Sequence, residues 1–220
     1  MLVDHFPLVG LRLTTPRLEL RLPASEELAA LADLAADGIH DPAVMPFVAA
    51  WTDRPPAEVA RGVIQHHWAQ LGAMTPRKWE LDLTVFCDGV VVGQQSIGAR
   101  ELAITGEVST GSWLGRRFQG QGIGTEMRAA VLHLAFAGLG AAEAVSSAFE
   151  DNTASLVVSR KLGYEPDGII RQVIRGALAV EHRQRITRVA WQQHRTTPVT
   201  IHGLDPCLPL LGVEESTVDV

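Results

Sequence analysis

Cysteine is scarce in this sequence of 220 residues, which contains only Cys87 and Cys207. Two cysteines that far apart cannot form the dense disulfide framework of a small secreted protein, and their spacing is not that of a structural zinc site. A single disulfide is the alternative, but we expect two reduced thiols in a cytoplasmic protein. The sequence also has no run of about 20 apolar residues, the length that a membrane-spanning helix requires.

Positive charge is in short supply as well, because 19 lysines and arginines against 25 aspartates and glutamates leave a formal net charge of −6. This balance argues against a general affinity for nucleic acid or for an anionic membrane surface. The eight histidines include no pair with the spacing of a helical metal site, so we expect no bound metal. Charged residues from Asp4 to Glu19 interrupt the N-terminal stretch, so we expect no secretory signal.

Apolar residues make up 46% of the chain and charged residues 20%, which are the proportions of a globular protein. We expect one domain over residues 1–195 and a C-terminal extension over residues 196–220. The extension is rich in Pro and Gly, but it also carries apolar side chains from Val199 to Leu211 that need burial. We therefore expect it to pack on the domain or on a second subunit, and we favour a homo-oligomer.

Hydrophobic periodicity predicts the element order β-α-α-β-β-β-α-β-α-β-β. Alternating leucines from Leu18 to Leu22 indicate the first strand, and Asp88-Gly89 between two apolar runs is typical of a hairpin turn. This order favours an α+β domain with a mixed, mostly antiparallel central sheet flanked by helices. The predicted elements are strands at 11–22, 79–87, 90–99, 107–114, 144–149, 164–175 and 178–191, helices at 25–36, 57–71, 123–138 and 152–162, and a loop at 41–56.

The most informative segment is residues 119–125, QGQGIGT, which leads into an amphipathic helix. Alternate glycines let a ligand approach the backbone, and the free N–H groups at a helix start suit a pyrophosphate. A glycine-rich turn needed only for packing is the alternative. The spacing differs from the G-x-G-x-x-G of a nicotinamide-binding loop, and no Lys-Ser/Thr follows as in an ATP-binding Walker A loop. A nicotinamide or S-adenosylmethionine enzyme is therefore a weak alternative.

Three segments carry a family resemblance. Residues 119–124, QGQGIG, resemble the acyl-CoA signature Q/R-x-x-G-x-G/A of the Gcn5-related N-acetyltransferases, the GNAT family. Residues 13–21, LTTPRLELR, are similar to the opening strand of the branch that modifies the N-termini of ribosomal proteins. Residues 152–155 and 161–164, NTAS and KLGY, resemble a further segment of that branch. The resemblance extends over roughly residues 11–193.

This resemblance implies acyl-CoA as the co-substrate and a sheet in which the strand before the glycine loop separates from its neighbour. The backbone of that strand would bind the pantetheine arm, and the N–H groups of the loop would bind the pyrophosphate. An asparagine after the next strand would bind the pantetheine or cap its helix. The cofactor-binding residues implied are Ser112, Trp113, Leu114, Gln119, Gly120, Gln121, Gly122, Ile123, Gly124, Thr125 and Asn152.

For the chemistry, the family resemblance implies direct attack of an amine on the thioester, with no nucleophilic Ser or Cys. Where many relatives place a tyrosine as general acid, this chain has Ser159. In the ribosomal-protein branch the proposed proton donor corresponds to Ser155, for which an ordinary first-turn serine is the alternative interpretation. Glu107, at the start of the strand before the loop, is the candidate base, and Glu101 and Glu181 compete with it.

Arginines are concentrated in the last two predicted strands: Arg171, Arg175, Arg183, Arg185 and Arg188. Such a charge run is usually a solvated strand face. In the GNAT family the last strands border the acyl end of the site, so these arginines are also candidates to receive an acidic acceptor or the carboxylate of succinyl-CoA. The loop at 41–56 is expected to cover the same opening.

Together these features predict transfer of an acetyl, or alternatively a succinyl, group from acyl-CoA to a primary amine. The expected acceptor is a protein N-terminus, a lysine or a small molecule. A catalytically weak acyl-CoA-binding sensor or assembly module is the alternative function.

Overall fold

The structure is a computed structural model and describes residues 1–213. The helices are α1 (Leu2–His5), α2 (Ser25–Ala36), α3 (Pro56–Ala73), α4 (Leu102–Thr105), α5 (Ile123–His133), α6 (Thr153–Lys161) and α7 (Arg188–His194), with a π-helical turn at Leu134–Gly138. The strands are β1 (Arg12–Thr14), β2 (Leu18–Arg21), β3 (Lys78–Cys87), β4 (Val90–Arg100), β5 (Glu107–Leu114), β6 (Glu143–Phe149), β7 (Glu165–Ile174), β8 (Ala177–Thr187) and β9 (Thr200–His202). Four 3₁₀ segments lie at Pro7–Gly10, Trp51–Asp53, Arg116–Phe118 and Asp205–Leu211.

One sheet of nine strands, in the order β7-β8-β6-β5-β4-β3-β2-β1-β9, organises the fold. Neighbouring strands are antiparallel except β5 and β6, which are parallel. A parallel pair requires a crossover, and α5 supplies it by connecting β5 to β6. The predicted α+β class with a mixed, mostly antiparallel sheet is therefore confirmed.

Helices cover both faces of the sheet. Because successive side chains of a strand point to opposite faces, the adjacent Val91 and Val92 of β4 separate the two layers. Val91 packs on the cluster formed by α2 and α3, whereas Val92 belongs to the cluster that contains the buried residues of α5. The start of α2 is fixed by Glu27, whose carboxylate accepts a hydrogen bond from the N–H of Ala24 at 2.7 Å.

The parallel pair β5–β6 is short, and this shapes the centre of the molecule. Its register joins residues 107–109 to residues 143–145. Just beyond, Thr110 Oγ1 donates to the carbonyl of Val145 at 3.4 Å, and Ser146 Oγ donates to the carbonyl of Thr110 at 3.3 Å. After these side-chain links the two strands separate, so the C-terminal half of β5 borders a fork in the sheet.

Two predicted strands need correction. The single strand expected over residues 11–22 is wrong, because the chain turns there into the antiparallel hairpin of β1 and β2. Pro16 cannot donate to a ladder, and the turn is closed by bonds from Thr15 N to the Leu18 carbonyl at 2.9 Å and from Leu18 N to Thr15 Oγ1 at 3.0 Å. The last strand also ends at Thr187, whose hydroxyl caps α7, instead of continuing to residue 191.

The described part of the C-terminal extension lies against the rest of the chain. Strand β9 pairs with β1, and the following 3₁₀ segment buries Cys207 and Leu211. The indole N–H of Trp79 donates to the Leu211 carbonyl at 2.9 Å. Residues 196–213 thus pack on their own domain, while the rest of the predicted extension, residues 214–220, lies outside the described residues.

Candidate functional site

The glycine segment connects β5 to α5 through the 3₁₀ turn Arg116–Phe118. Gly120 and Gly122 have φ angles of +73° and +80°, which L-residues with side chains rarely adopt. Within residues 1–213 we find no hydrogen-bond acceptor for the N–H groups of residues 120–124. These donors lie at the positive end of the α5 dipole, so the segment has the geometry of an anion site.

The first residue of the acyl-CoA signature holds the loop in place. The Gln119 side-chain amide donates to the carbonyl of Leu114 at 3.0 Å and to the carbonyl of Ile39 at 2.7 Å. It therefore ties the loop both to the end of β5 and to the residues after α2. Its side chain has a structural task, and a ligand would meet the backbone of the glycines.

A carboxylate network that was not predicted from the sequence fixes the other side of the loop. The carboxylate of Glu126 accepts hydrogen bonds from Thr15 Oγ1 and Arg17 Nε, both at 2.7 Å, and Arg17 Nη1 donates to the Gln121 carbonyl at 3.1 Å. Burial raises the pKa of Glu126, but the hydrogen bonds from Thr15 and Arg17 outweigh it and leave the pKa below its usual value. Residues 15–18, TPRL, thus anchor the start of α5.

The three predicted residues of β5 differ in what they offer. Gly115 N donates to the Val92 carbonyl of β4 at 3.0 Å, so by alternation Trp113 also directs its backbone groups to β4. Ser112 and Leu114 then direct theirs towards the fork, and the Leu114 carbonyl is already bonded to Gln119. Ser112 is the residue whose backbone groups face the open fork.

Asn152 caps the helix that faces the fork. Its Oδ1 accepts a hydrogen bond from the Ser155 N–H at 3.2 Å at the start of α6. Ser155 is half-buried, whereas Ser159, one turn further on, is 1% exposed. The structure therefore brings Ser155, and not Ser159, to a position between the interior and the fork.

A buried arginine, Arg128 of α5, lies beneath these residues. Its Nη1 donates to Ser159 Oγ at 2.8 Å, and its Nη2 lies 3.4 Å from Ser112 Oγ and 3.5 Å from Ser155 Oγ. Burial lowers the pKa of Arg128 from its ordinary value. Sequence reasoning missed this residue. The available signal was a charge on the apolar stripe of α5, four residues before the buried Leu132.

The candidate base and its two competitors all have partners. Glu107 accepts from Arg185 Nη1 at 2.6 Å, and Glu101 accepts from Arg77 Nε at 2.6 Å. Glu181 is buried and accepts from the hydroxyl of Ser147 and from a glutamine amide. None of the three is a free carboxylate.

The arginines of the last hairpin are mostly engaged with acceptors of the protein. Arg175 pairs with Asp53, Arg183 pairs with Asp167, and Arg185 pairs with Asp167 and two glutamates. Arg188 donates to the Ala141 carbonyl at 2.7 Å, and Arg171 is exposed. These contacts neutralise most of the positive charge that was expected to bind a carboxylate on the acyl group.

A groove of about 560 Å³ lies on the α3 side of the sheet, beside the start of β5. Its lining includes Glu80, Glu107 and Ser109. Burial and the neighbouring carboxylate of Asp82 raise the pKa of Glu80, and Gln70 Nε2 donates to it at 2.7 Å. Sequence reasoning missed Glu80. The available signal was a pair of carboxylates, two residues apart, in the largely buried strand β3.

The loop predicted at 41–56 borders the open end of the fork. Phe47 packs with Trp51, which in turn contacts Trp113 at the end of β5. Met45 packs on Phe149, the last residue of β6. The loop therefore spans from one arm of the fork to the other.

No group of three or more His, Cys, Asp or Glu side chains among residues 1–213 has the arrangement of a metal site. In the same part of the chain no helix combines the length and the apolar composition needed to cross a membrane.

Residues 17–165, more than half of the chain, match the family described as "Acetyltransferase (GNAT) domain". A similar solved structure is Mycobacterium smegmatis RimJ in complex with CoA-disulfide, with a TM-score of 0.64 at 20% identity, covering 83% of this chain and 93% of that one. RimL, a ribosomal L7/L12 alpha-N-protein acetyltransferase, has a TM-score of 0.61 at 22% identity, covering 79% of this chain and 91% of its own.

A GNAT-family acetyltransferase from Bacillus anthracis is also similar, with a TM-score of 0.63 at 16% identity, covering 81% of this chain and 99% of that one. A second RimL structure contains coenzyme A. At these identities the likeness establishes a shared fold.

Proposed function

The chain belongs to the GNAT acetyltransferase family, and we propose that it transfers an acyl group from acyl-CoA to a primary amine by direct attack. The observation that carries this proposal is the fork between β5 and β6, which leads to a helix start with free N–H groups. A fork supplies backbone groups to an extended arm, and the helix start supplies donors to a pyrophosphate. Acyl-CoA contains both chemical parts.

For binding, we assign the pyrophosphate to the N–H groups from Gly120 to Gly124, because the N–H of Thr125 already donates to the Gly122 carbonyl at 3.1 Å. The pantetheine arm would lie along Ser112 to Leu114, with Ser112 supplying the backbone groups that face the fork. Asn152 supports this arrangement from the other side, because it caps the helix that carries Ser155. No metal is required in this assignment.

For the chemistry, the neutral amine nitrogen attacks the thioester carbonyl carbon, a C–N bond forms and the C–S bond breaks. The CoA sulfur leaves as a thiolate and takes a proton, for which Ser155 is the candidate donor. Before the attack, the ammonium form of the acceptor gives one proton to a carboxylate. The second proton, which the nitrogen loses as the amide forms, replaces the one that Ser155 gives to the sulfur. Glu107 is the candidate from the sequence, and Glu80 is the structural alternative because its pKa is raised and it lies in the groove.

For the acceptor, we propose a protein N-terminus, as the name of RimL states for that protein, with a lysine or a small amine as alternatives. The groove beside the start of β5 has room for an amine-bearing side chain. The loop at 41–56 borders the other end of the fork and would contact the rest of the acceptor.

For the acyl group, we propose acetyl. A succinyl carboxylate would need unpaired arginines in the last hairpin, but Arg175 is paired with Asp53 and Arg183 with Asp167. Succinyl-CoA remains the second donor to test.

For the compartment and assembly, we propose a cytoplasmic protein that forms a homo-oligomer. Residues 196–213 pack on their own chain, so their apolar side chains no longer support an oligomer. The exposed apolar side chains of the last hairpin support it instead. There Ile169, Ile170, Val173 and Leu178 are large apolar side chains that remain exposed. Light scattering that gives the monomer mass would remove this part of the proposal.

The decisive experiment is incubation of the protein with a panel of acyl-CoAs and amine acceptors, read by mass spectrometry and by release of free CoA thiol. Modified acceptor together with stoichiometric CoA release supports the transferase. Tight CoA binding without any product would instead support the alternative function, an acyl-CoA-binding sensor or assembly module.

A further inference from the structure

Arg128 presents an unusual electrostatic situation. It is 3% exposed, and in the part of the chain that the structure describes no carboxylate forms an ion pair with it. Its Nε has no hydrogen-bond partner among the described residues. A buried cation without a counter-ion is costly, and a perturbed buried charge beside a cleft is a candidate for a functional role.

The hydrogen-bond partners of Arg128 are serine hydroxyls, and the guanidinium determines whether each hydroxyl donates or accepts. A guanidinium only donates hydrogen bonds, so a hydroxyl in contact with it must accept through its oxygen. The single O–H hydrogen of that serine is then free to donate elsewhere. Ser155, 3.5 Å from Nη2 and half-buried at the fork, is thereby oriented to donate towards the fork.

The contacts of Arg128 extend beyond those needed to join α5 to α6. Its bond of 2.8 Å to Ser159 is sufficient to join α5 to α6. The second terminal nitrogen instead lies between Ser112 and Ser155, the residues assigned above to the pantetheine and to the departing sulfur. The positive charge is therefore placed where negative charge develops on the thiolate.

We propose that Arg128 is a positioning residue that acts through Ser155 and makes the site favour the thiolate form of CoA. The inference rests on the proposed function. Since the charge lacks a counter-ion before the reaction and gains one as the C–S bond breaks, it stabilises the transition state more than the ground state. The titratable neighbour that faces it is Tyr164, whose buried hydroxyl lies 3.3 Å from Thr110 Oγ1 and whose pKa is raised by burial, so it stays neutral.

The test measures the thiol pKa of CoA bound to the full-length protein. Difference absorbance of the thiolate is followed over pH, with the complex of the sulfur-free CoA analogue as the blank, which cancels signals from Tyr164 and the cysteines. In the unmodified protein we expect a thiol pKa at least one unit below that of free CoA. Arg128→Met should abolish this lowering, and Arg128→Lys should keep part of it.

The matched control is Arg160→Met, which removes the same charge from an exposed site on α6 and should leave the thiol pKa unchanged. If Arg128→Met does not fold, Arg128→Gln replaces it with the same expectation. A thiol pKa of bound CoA equal to or above the free value in the unmodified protein overturns the inference without any variant. Failure of that protein to bind CoA at all would instead overturn the proposed function, and with it this inference.

Discussion

Replacing Gly122 by alanine separates the ligand role of the glycine loop from its role in folding. Gly122 has a φ of +80°, and a Cβ at this position would lie 3.4 Å from Arg17 Nη2. Alanine costs about 1–2 kcal/mol in this left-handed conformation. Relaxation out of it rotates the peptide planes that direct the N–H groups of the loop. The substitution should therefore affect both stability and anion binding.

The binding loss follows from the number of donors disturbed. A pyrophosphate in this site would accept several N–H bonds at once, and a typical bond to a charged group contributes about 1.5–3 kcal/mol. Loss of one such bond weakens CoA binding by about tenfold or more, since 1.4 kcal/mol corresponds to a factor of ten. Calorimetric titration with CoA measures this change, and urea unfolding measures the stability.

Gly89→Ala is the matched control. Gly89 has a φ of +77°, and a Cβ there would meet nothing within 4 Å. It lies in the turn of the β3–β4 hairpin, outside the segment that connects β5 to α5. Both variants should lose similar stability, but only Gly122→Ala should lose CoA affinity. Equal CoA affinities in the two folded variants would refute the assignment of the pyrophosphate to this loop.

Three further changes test the chemistry and the stability. Ser155→Ala should lower kcat by about tenfold to a thousandfold while CoA affinity stays unchanged in a binding titration; an unaltered kcat would mean that water delivers the proton. Glu80→Gln should remove the acidic limb of the pH profile of kcat/KM. If Glu107, the candidate from the sequence, is the base, Glu107→Gln should remove that limb instead. Hydrogen bonds from Arg21 lower the pKa of Glu27 to about 2, so its contribution is present above the ordinary glutamate pKa and is lost as pH falls. From pH 5 to 3 the parent should lose about 1 kcal/mol more unfolding free energy than Glu27→Gln, and parallel urea curves would contradict this.

The features predictable from the sequence are those set by neighbours in the chain. Asp88-Gly89 defined a hairpin, and the glycine loop followed by an apolar stripe defined a helix start, because both depend on local backbone conformation. The errors arose where a local detail overrode the pattern. Pro16 interrupts the alternation of residues 11–22 and turns the chain, and the Thr187 cap starts a helix inside a run that alternates like a strand.

The parts of the site that escaped prediction depend on contacts across the sheet. The partner of Glu107 is Arg185, 78 positions later, and its engagement is visible only once β8 is placed two strands away from β5. From the sequence alone Arg128 cannot be told from a surface charge, because its burial depends on α6, whose Ser159 it contacts. A sequence names the charged groups, but the long-range pairing decides which of them are neutralised.

The alternation of side chains along β5 places the residues near the thiol and those near the acceptor on opposite faces of the sheet. Ser112 faces α5 and α6, where Arg128 and Ser155 lie, whereas the adjacent Trp113 faces the α2–α3 layer and the loop at 41–56. The leaving thiol would therefore be handled on one face of the sheet and the amine admitted from the other. Because the side chains of Ser112 and Trp113 lie on opposite faces of β5, changes in the loop can alter the choice of acceptor without disturbing the residues that stabilise the thiolate. Substitutions around Trp51 should accordingly change KM for the amine and leave the thiol pKa of bound CoA as it is.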